Sequence, residues 1–267
     1  MIAEALRRGR TAALWLADPI DRLWLRATGR GHLPPLWLRR HTGAVRAFES
    51  AARETAEFLD RLGFVRDGDT VIDVGCGPGA MVPELARRLG RGGHYVGFDV
   101  HAPSIRWCRR SHAGDPRLRF EHADLASAYG TGSGAAASTY RFPLQTGEAD
   151  LVLAKSVFTH LLEADARHYL AEIRRVLRPG RGAIVTAFLF DENGSFLPDV
   201  EFAFPYSDAS GRIRWRLRSR PAAAVAYGRA FFEAMTAAAG LRVIWMSAGY
   251  FPGSAHPAGQ DTVLLGH

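Results

Sequence analysis

The ten residues 71–80, VIDVGCGPGA, constrain the fold more than any other stretch of the chain. Val71, Ile72 and Val74 form a β-branched apolar run of the kind buried in a parallel strand. Gly75, Gly77 and Gly79 follow at alternate positions, and residues 81–90, MVPELARRLG, continue as an amphipathic helix with Gly90 as its cap. Strand, glycine turn and helix in that order open a nucleotide-binding α/β sheet. The glycines let the backbone turn tightly and let a ligand approach without meeting a Cβ. The helix N-terminus behind them adds a partial positive charge.

The spacing Gly75-x-Gly77-x-x-Ala80 also fits a loose dinucleotide fingerprint, so the glycines alone leave the ligand open. Two neighbours discriminate. Asp73 precedes the first glycine by two residues, where its charge repels a pyrophosphate. Pro78 removes one of the backbone N–H groups that a phosphate cradle needs. A ligand with an ammonium group is instead attracted to Asp73. S-adenosylmethionine carries that ammonium, a ribose and an adenine, and no phosphate. Residues 94–100, HYVGFDV, read as a second strand ending in Asp99, where ribose hydroxyls lie in such sheets, with Val100 beside it. Residues 118–125, LRFEHADL, read as a third strand, with Asp124 and Leu125 placed to meet an adenine. Three acids at the carboxyl ends of successive strands converge on one crevice.

With VIDVGCGPG, FDV, HADL, FPLQTGEADLVLAKSVFTHLL and YLAEIRRVLRPG, the chain resembles the class I S-adenosylmethionine-dependent methyltransferases, in the group that acts on small molecules. The resemblance runs from about residue 62 to the C-terminus. It implies a Rossmann-like α/β fold, with a seven-stranded, mostly parallel sheet flanked by helices and a final antiparallel strand. It implies S-adenosylmethionine as cofactor and leaves the acceptor unspecified. The family usually has two adjacent glycines after the proline of RVLRPG; here Gly180, Arg181 and Gly182 depart slightly from that.

Charge is unevenly placed. Residues 1–46 hold nine arginines against Glu4, Asp18 and Asp21, a net of +6 out of +7 for the whole chain. The remaining core is nearly neutral, which disfavours a nucleic-acid partner. Two cysteines, Cys76 and Cys108, make neither a disulfide framework nor a metal cluster, and suit a reducing cytoplasm. Cys76 inside the glycine turn reads as a small packing residue.

Residues 1–43 read as an N-terminal helical extension and 44–267 as the catalytic domain, with residues 191–227 inserted as a cap after the fifth strand. The run TAALWLA is too short for a signal peptide or a membrane span. Asp18-Pro19 reads as a helix start, with Ile20, Leu23, Trp24 and Ala27 on one face. That helix is expected to pack on the core; a lid, a dimer contact and a basic peripheral membrane anchor are the other readings. Residues 44–62 keep a helical period ahead of the first strand. The Gly/Ser/Ala-rich tract 127–140 is either a mobile loop at the substrate mouth or a surface insertion. Residues 149–157 and 182–190 read as strands four and five, 231–239 as a helix, and LRVIWM and DTVLLGH as the last two strands. In the cap, RIRWRLRSR (residues 212–220) alternates strictly, as a solvated edge strand or a row of arginines for an anionic acceptor.

Methyl transfer needs positioning above all, and a base only where the acceptor must lose a proton. His160, just after the fourth strand, is the candidate base; the plainer reading is a histidine bonding the loop. Lys155 and Ser156 are expected to line the cofactor through backbone groups, and Tyr206, Trp215 and Tyr227 to line an acceptor pocket or pack the core. The expected function is methyl transfer from S-adenosylmethionine to oxygen, nitrogen or carbon of a small molecule. An RNA methyltransferase and a non-catalytic S-adenosylmethionine-binding module acting through a partner are the alternatives, and no metal ligands are expected.

Overall fold

The computed structural model describes residues 2–41, 45–126, 134–196, 200, 203–249 and 259–267. Its main sheet runs in the order β3 (Leu118–His122), β2 (His94–Asp99), β1 (Thr70–Val74), β4 (Ala149–Ala154), β5 (Leu177–Phe190), β10 (Asp261–Gly266) and β9 (Arg242–Ser247). The first five are parallel, and β10 is antiparallel to both β5 and β9. The expected Rossmann-like sheet is present. Beyond the seven expected strands, β6 (Tyr206–Ser207), β7 (Ile213–Trp215) and β8 (Val225–Gly228) form a small extension attached where β5 outruns β4.

Helices cover both faces, which is why β1 and β4 are buried at every position and read as apolar runs instead of alternating. On one face α3 (Phe48–Arg61), α4 (Val82–Arg88) and α5 (Ala102–Ser111) contribute Ala56, Leu59, Leu85 and Ile105. On the other, α6 (Glu163–Val176) and α7 (Arg229–Ala238) contribute Leu170, Ile173, Phe232 and Met235.

Strand β5 starts five residues before the expected Gly182. Leu177 already pairs with Ala149, and residues 178–181 bulge before Gly182 meets Leu151. The bulge is fastened by charge. Arg178 donates to both carboxylate oxygens of Asp150 at 2.8 and 2.9 Å, and Arg181 reaches Asp69 at 2.5 Å. Asp150 also accepts from Thr70 N–H at 2.8 Å, so the amino ends of β1, β4 and β5 share one network.

At the N-terminus, α1 (Ile2–Ala27) runs through Pro19 and does not begin at Asp18. A proline mid-helix removes a single donor, and Asp18 is engaged elsewhere. Its carboxylate accepts from Leu36 N–H at 2.7 Å, capping α2 (Leu36–His41), and pairs with Arg22 at 2.9 Å. Leu25 packs inward with Leu33 and Phe48 against Ala80 of the glycine turn. The side that sequence periodicity assigned to the core faces out: Ile20 is 73% exposed, Leu23 66% and Trp24 54%.

The tract 127–140 lies partly outside the described residues. Its described end is anchored by a bridge from Leu125 to Ala135 and by Gly134, where a side chain would collide with the backbone of Asp124. The arginine row is shorter than its alternation suggested. Only Ile213–Trp215 is strand, and β7 lies between β6 and β8 and is no edge. Arg214 stacks over Phe190 at 4.0 Å and Arg212 over Phe231 at 4.5 Å, so these two guanidiniums fasten the cap to β5 and α7.

Candidate cofactor and acceptor site

Parallel register brings the carboxyl ends of β1, β2, β3 and β4 to one edge of the sheet. The turn after β1 needs glycine at three positions, with φ of +70° at Gly75, +53° at Gly77 and +81° at Gly79. It hooks onto the next strand: Gly75 and Cys76 N–H both donate to Phe98 C=O, at 2.9 and 3.1 Å. Gly77 N–H donates to the Asp99 carboxylate at 2.8 Å, and Gly79 N–H to Cys76 C=O at 3.1 Å. Pro78 has no N–H. From 75 to 79, then, every backbone donor already has an acceptor within the chain, one of them an anion. A phosphate would find no donors here and a carboxylate in its place.

Asp99 accepts a second N–H, from His101 at 2.7 Å, which fixes both oxygens at the tip of β2. Asp124 stands exposed just past β3. Val100 is half-buried against the core and Leu125 is buried within it. The buried Cys76 and Cys108 thiols each lie 3.6 Å from Gly77 C=O, and burial pushes both up, Cys108 to about 12, so neither is a reactive thiolate.

Asp73 lies lower than the sequence suggested. It is 4% exposed, beneath the turn, and Tyr95 O–H donates to it at 2.7 Å. Burial raises its pKa from 3.8 to about 6, against the lowering pull of the Tyr95 hydroxyl and the Lys155 charge, while Asp99 adds to the rise. Lys155 donates through its own ammonium to Thr55 Oγ1 at 2.7 Å, tying the end of β4 to α3. Tyr95 and Thr55 are site residues that sequence reasoning missed. Asp73 pairs in register with Gly97, and strand alternation puts Tyr95 on the same face, but that register is not written in the sequence.

Ser156 is the one non-glycine described residue with positive φ, +56°. Its N–H donates to Thr186 Oγ1 at 2.7 Å, and both hydroxyls donate to Gln260 Oε1, at 3.1 and 2.7 Å. A backbone strained and held this way marks the point where the chain leaves β4. Next to it, the turn Phe158–His160 is clasped by the cap. His160 Nδ1 lies 3.1 Å from Ala222 C=O, and Tyr227 O–H reaches Phe158 C=O at 2.9 Å and Leu161 C=O at 2.5 Å. Burial lowers the His160 pKa, and the backbone carbonyls of Ala222 and Ala223 oppose that fall. The Nδ1 contact is that of a histidine bonding a loop. Tyr227 is wholly buried and Tyr206 is 38% exposed, while the Trp215 indole N–H is buried with no partner among the described residues. Asp261, at the start of β10, accepts from Leu189 N–H at 3.1 Å, and burial raises its pKa to about 7. No sequence pattern singled it out.

Residues 71–180 match the family model described as a methyltransferase domain. Over this segment the chain is similar to S-adenosylmethionine-dependent methyltransferases. A 37.1 kDa protein of transposon TN4556 from Streptomyces fradiae is 28% identical over 178 residues, 61% of this chain and 47% of that protein. Nocamycin O-methyltransferase of Saccharothrix syringae is 39% identical over 62 residues, 23% of this chain and 21% of that one. The matched segments thus span about half or less of these curated relatives. Among solved structures, 1,6-didemethyltoxoflavin-N1-methyltransferase of Burkholderia thailandensis, with bound S-adenosylhomocysteine, superposes with TM-score 0.54 at 18% identity, covering 85% of this chain and 83% of that one. Geranyl diphosphate C-methyltransferase of Streptomyces coelicolor A3(2) gives 0.55 at 14% identity, covering 86% and 83%. At these identities the likeness carries the methyltransferase fold alone.

Proposed function

We propose that the chain transfers a methyl group from S-adenosylmethionine to oxygen, nitrogen or carbon of a small-molecule acceptor. The observation that carries this reading is the glycine turn, whose donors are all satisfied and whose surroundings are three carboxylates. That arrangement suits a cationic, phosphate-free nucleoside. Asp99 would take the ribose hydroxyls, Asp124 the adenine amino group, and Asp73 with Lys155 the ammonium and carboxylate of the amino-acid end. Gly75, Gly77 and Gly79 leave the room, with Val100 and Leu125 beside the base and the backbone of Lys155 and Ser156 along the other wall.

When bound, S-adenosylmethionine supplies a methyl carbon whose bond to sulfur breaks as an acceptor lone pair attacks from the opposite side. The protein's part is to hold the two in line, which accounts for most of the rate. Ser156 fixes the backbone at the end of β4, and the cap, clasped through His160 and Tyr227, closes the acceptor side. His160 serves as this clasp. Trp215 N–H offers an acceptor molecule one donor. The nearly neutral core favours a small molecule over RNA, and relatives and neighbours named for small-molecule methyl acceptors support the same choice. The test is transfer of labelled methyl from S-adenosylmethionine into a small-molecule extract. Label entering the small-molecule fraction and unaffected by excess tRNA supports the reading; label in RNA, or none in any fraction, overturns it.

The position of Asp73 sets a pH dependence. In the unliganded protein its raised pKa favours the protonated acid, so stability present below about pH 4 is lost as pH climbs through 6. An ammonium ligand prefers the ionised form, so affinity for S-adenosylhomocysteine is expected to rise with pH through about 6 and level off above 7. Asp73→Asn is expected to bind weakly and without that inflection. Tyr95→Phe removes a hydrogen bond to the carboxylate and is expected to move the inflection upward. Calorimetric titrations across pH 5 to 8 check all three.

A further inference from the structure

We infer that the outer face of α1 is a docking surface for an anionic lipid bilayer, lying in the plane of the membrane interface. The inference is independent of the proposed methyl transfer. The helix is 26 residues long, about 39 Å at the usual rise. Its inward side is fixed by Leu25, by Asp18 on Leu36 N–H and Arg22, and by Asp21 paired with Arg39. The opposite side carries Leu16, Ile20, Leu23 and Trp24, at 80%, 73%, 66% and 54% exposure. They stand at i, i+4, i+7 and i+8, one continuous stripe, whereas a helix of an ordinary soluble domain turns such a stripe inward. The exposed Arg26 borders the stripe.

Charge decides the occupant. Residues 1–46 carry a net of +6, and two of their three acids, Asp18 and Asp21, are ion-paired on the inward side. A second copy meeting this face would bring a second +6 and be repelled. Anionic headgroups are attracted to it while the apolar stripe enters the acyl boundary and Trp24 sits at headgroup level. No described helix is long and apolar enough to cross a membrane, so the helix lies on the bilayer and does not span it. On its inward side, Leu25 packs with Ala80 beside the glycine turn, so a membrane-bound helix would hold the cofactor crevice directly behind the lipid surface.

The test is co-sedimentation of the full chain with vesicles of phosphatidylcholine alone and of phosphatidylcholine containing about one third phosphatidylglycerol, at low and high salt. Wild type is expected to bind the anionic vesicles, with binding much reduced by salt and on the neutral vesicles. The double variant Ile20→Glu, Leu23→Glu changes exposed positions only. It is expected to lose at least tenfold in vesicle binding while keeping its thermal midpoint and its affinity for S-adenosylhomocysteine. No binding to anionic vesicles overturns the inference, as does equal, salt-insensitive binding to both kinds. A wild-type dimer that the double variant dissociates, without vesicle binding, assigns the face to a second copy and also overturns it.

Discussion

Asp99→Ala is expected to raise the dissociation constant for S-adenosylhomocysteine by about 10- to 150-fold, the effect of losing one or two charge-assisted hydrogen bonds worth roughly 1.5–3 kcal/mol. This carboxylate does two jobs. It accepts Gly77 and His101 N–H at 2.8 and 2.7 Å, and so shapes the glycine turn. The ribose hydroxyls are assigned to the same carboxylate. Asp99→Asn separates the two roles, because an amide oxygen can still accept one of those N–H groups. The asparagine variant is expected to recover most of the thermal midpoint lost in the alanine variant but only part of the lost ligand affinity. Calorimetry alongside thermal unfolding reads both. An Asp99→Ala protein with wild-type affinity removes the ribose assignment.

Gly75→Ala is expected to damage both the turn and cofactor binding. The position holds φ +70°, which costs an alanine about 1–2 kcal/mol in backbone strain. The added Cβ would also stand 2.7 Å from Val157 Cγ2, a β-branched side chain with little room to rotate. Either the turn unwinds or the segment after β4 shifts, and both lie against the proposed cofactor. Affinity for S-adenosylhomocysteine is expected to fall at least tenfold, with a thermal midpoint lower by about 2–8 °C. Gly63→Ala is the comparison, since it shares a positive φ (+64°) but has open space around it. It is expected to lower the midpoint only modestly and leave binding intact. Equal effects on binding at the two glycines would mean that contact at the turn is unimportant.

The parts of this molecule governed by local pattern were legible in the sequence. The apolar runs at Val71–Val74 and Ala149–Ala154 sit in the middle of the sheet, where burial on both faces erases alternation. Alternate glycines after β1 could be read as a tight turn because φ values near +70° admit little else. What escaped were choices made by distant partners. Pro19 looked like a helix start because Asp18 precedes it, yet that aspartate caps α2 eighteen residues away. Arg178-Pro179-Gly180 read as a helix stop, and became strand because Arg178 and Arg181 find Asp150 and Asp69. His160 could be read either as a base or as a histidine bonding the loop, and its Nδ1 partner, Ala222 C=O, comes from 62 residues away. The direction of the α1 stripe was likewise undecidable, since periodicity defines a face and says nothing of what lies opposite.

The most direct measurement is calorimetric titration of the unmodified chain with S-adenosylhomocysteine and, in parallel, with NAD at neutral pH. A turn whose N–H groups are all engaged and whose neighbours are Asp73 and Asp99 is expected to give saturable, roughly micromolar binding of S-adenosylhomocysteine and no heat with NAD. Stoichiometric binding of NAD with none of S-adenosylhomocysteine would contradict the cofactor and, with it, the reaction.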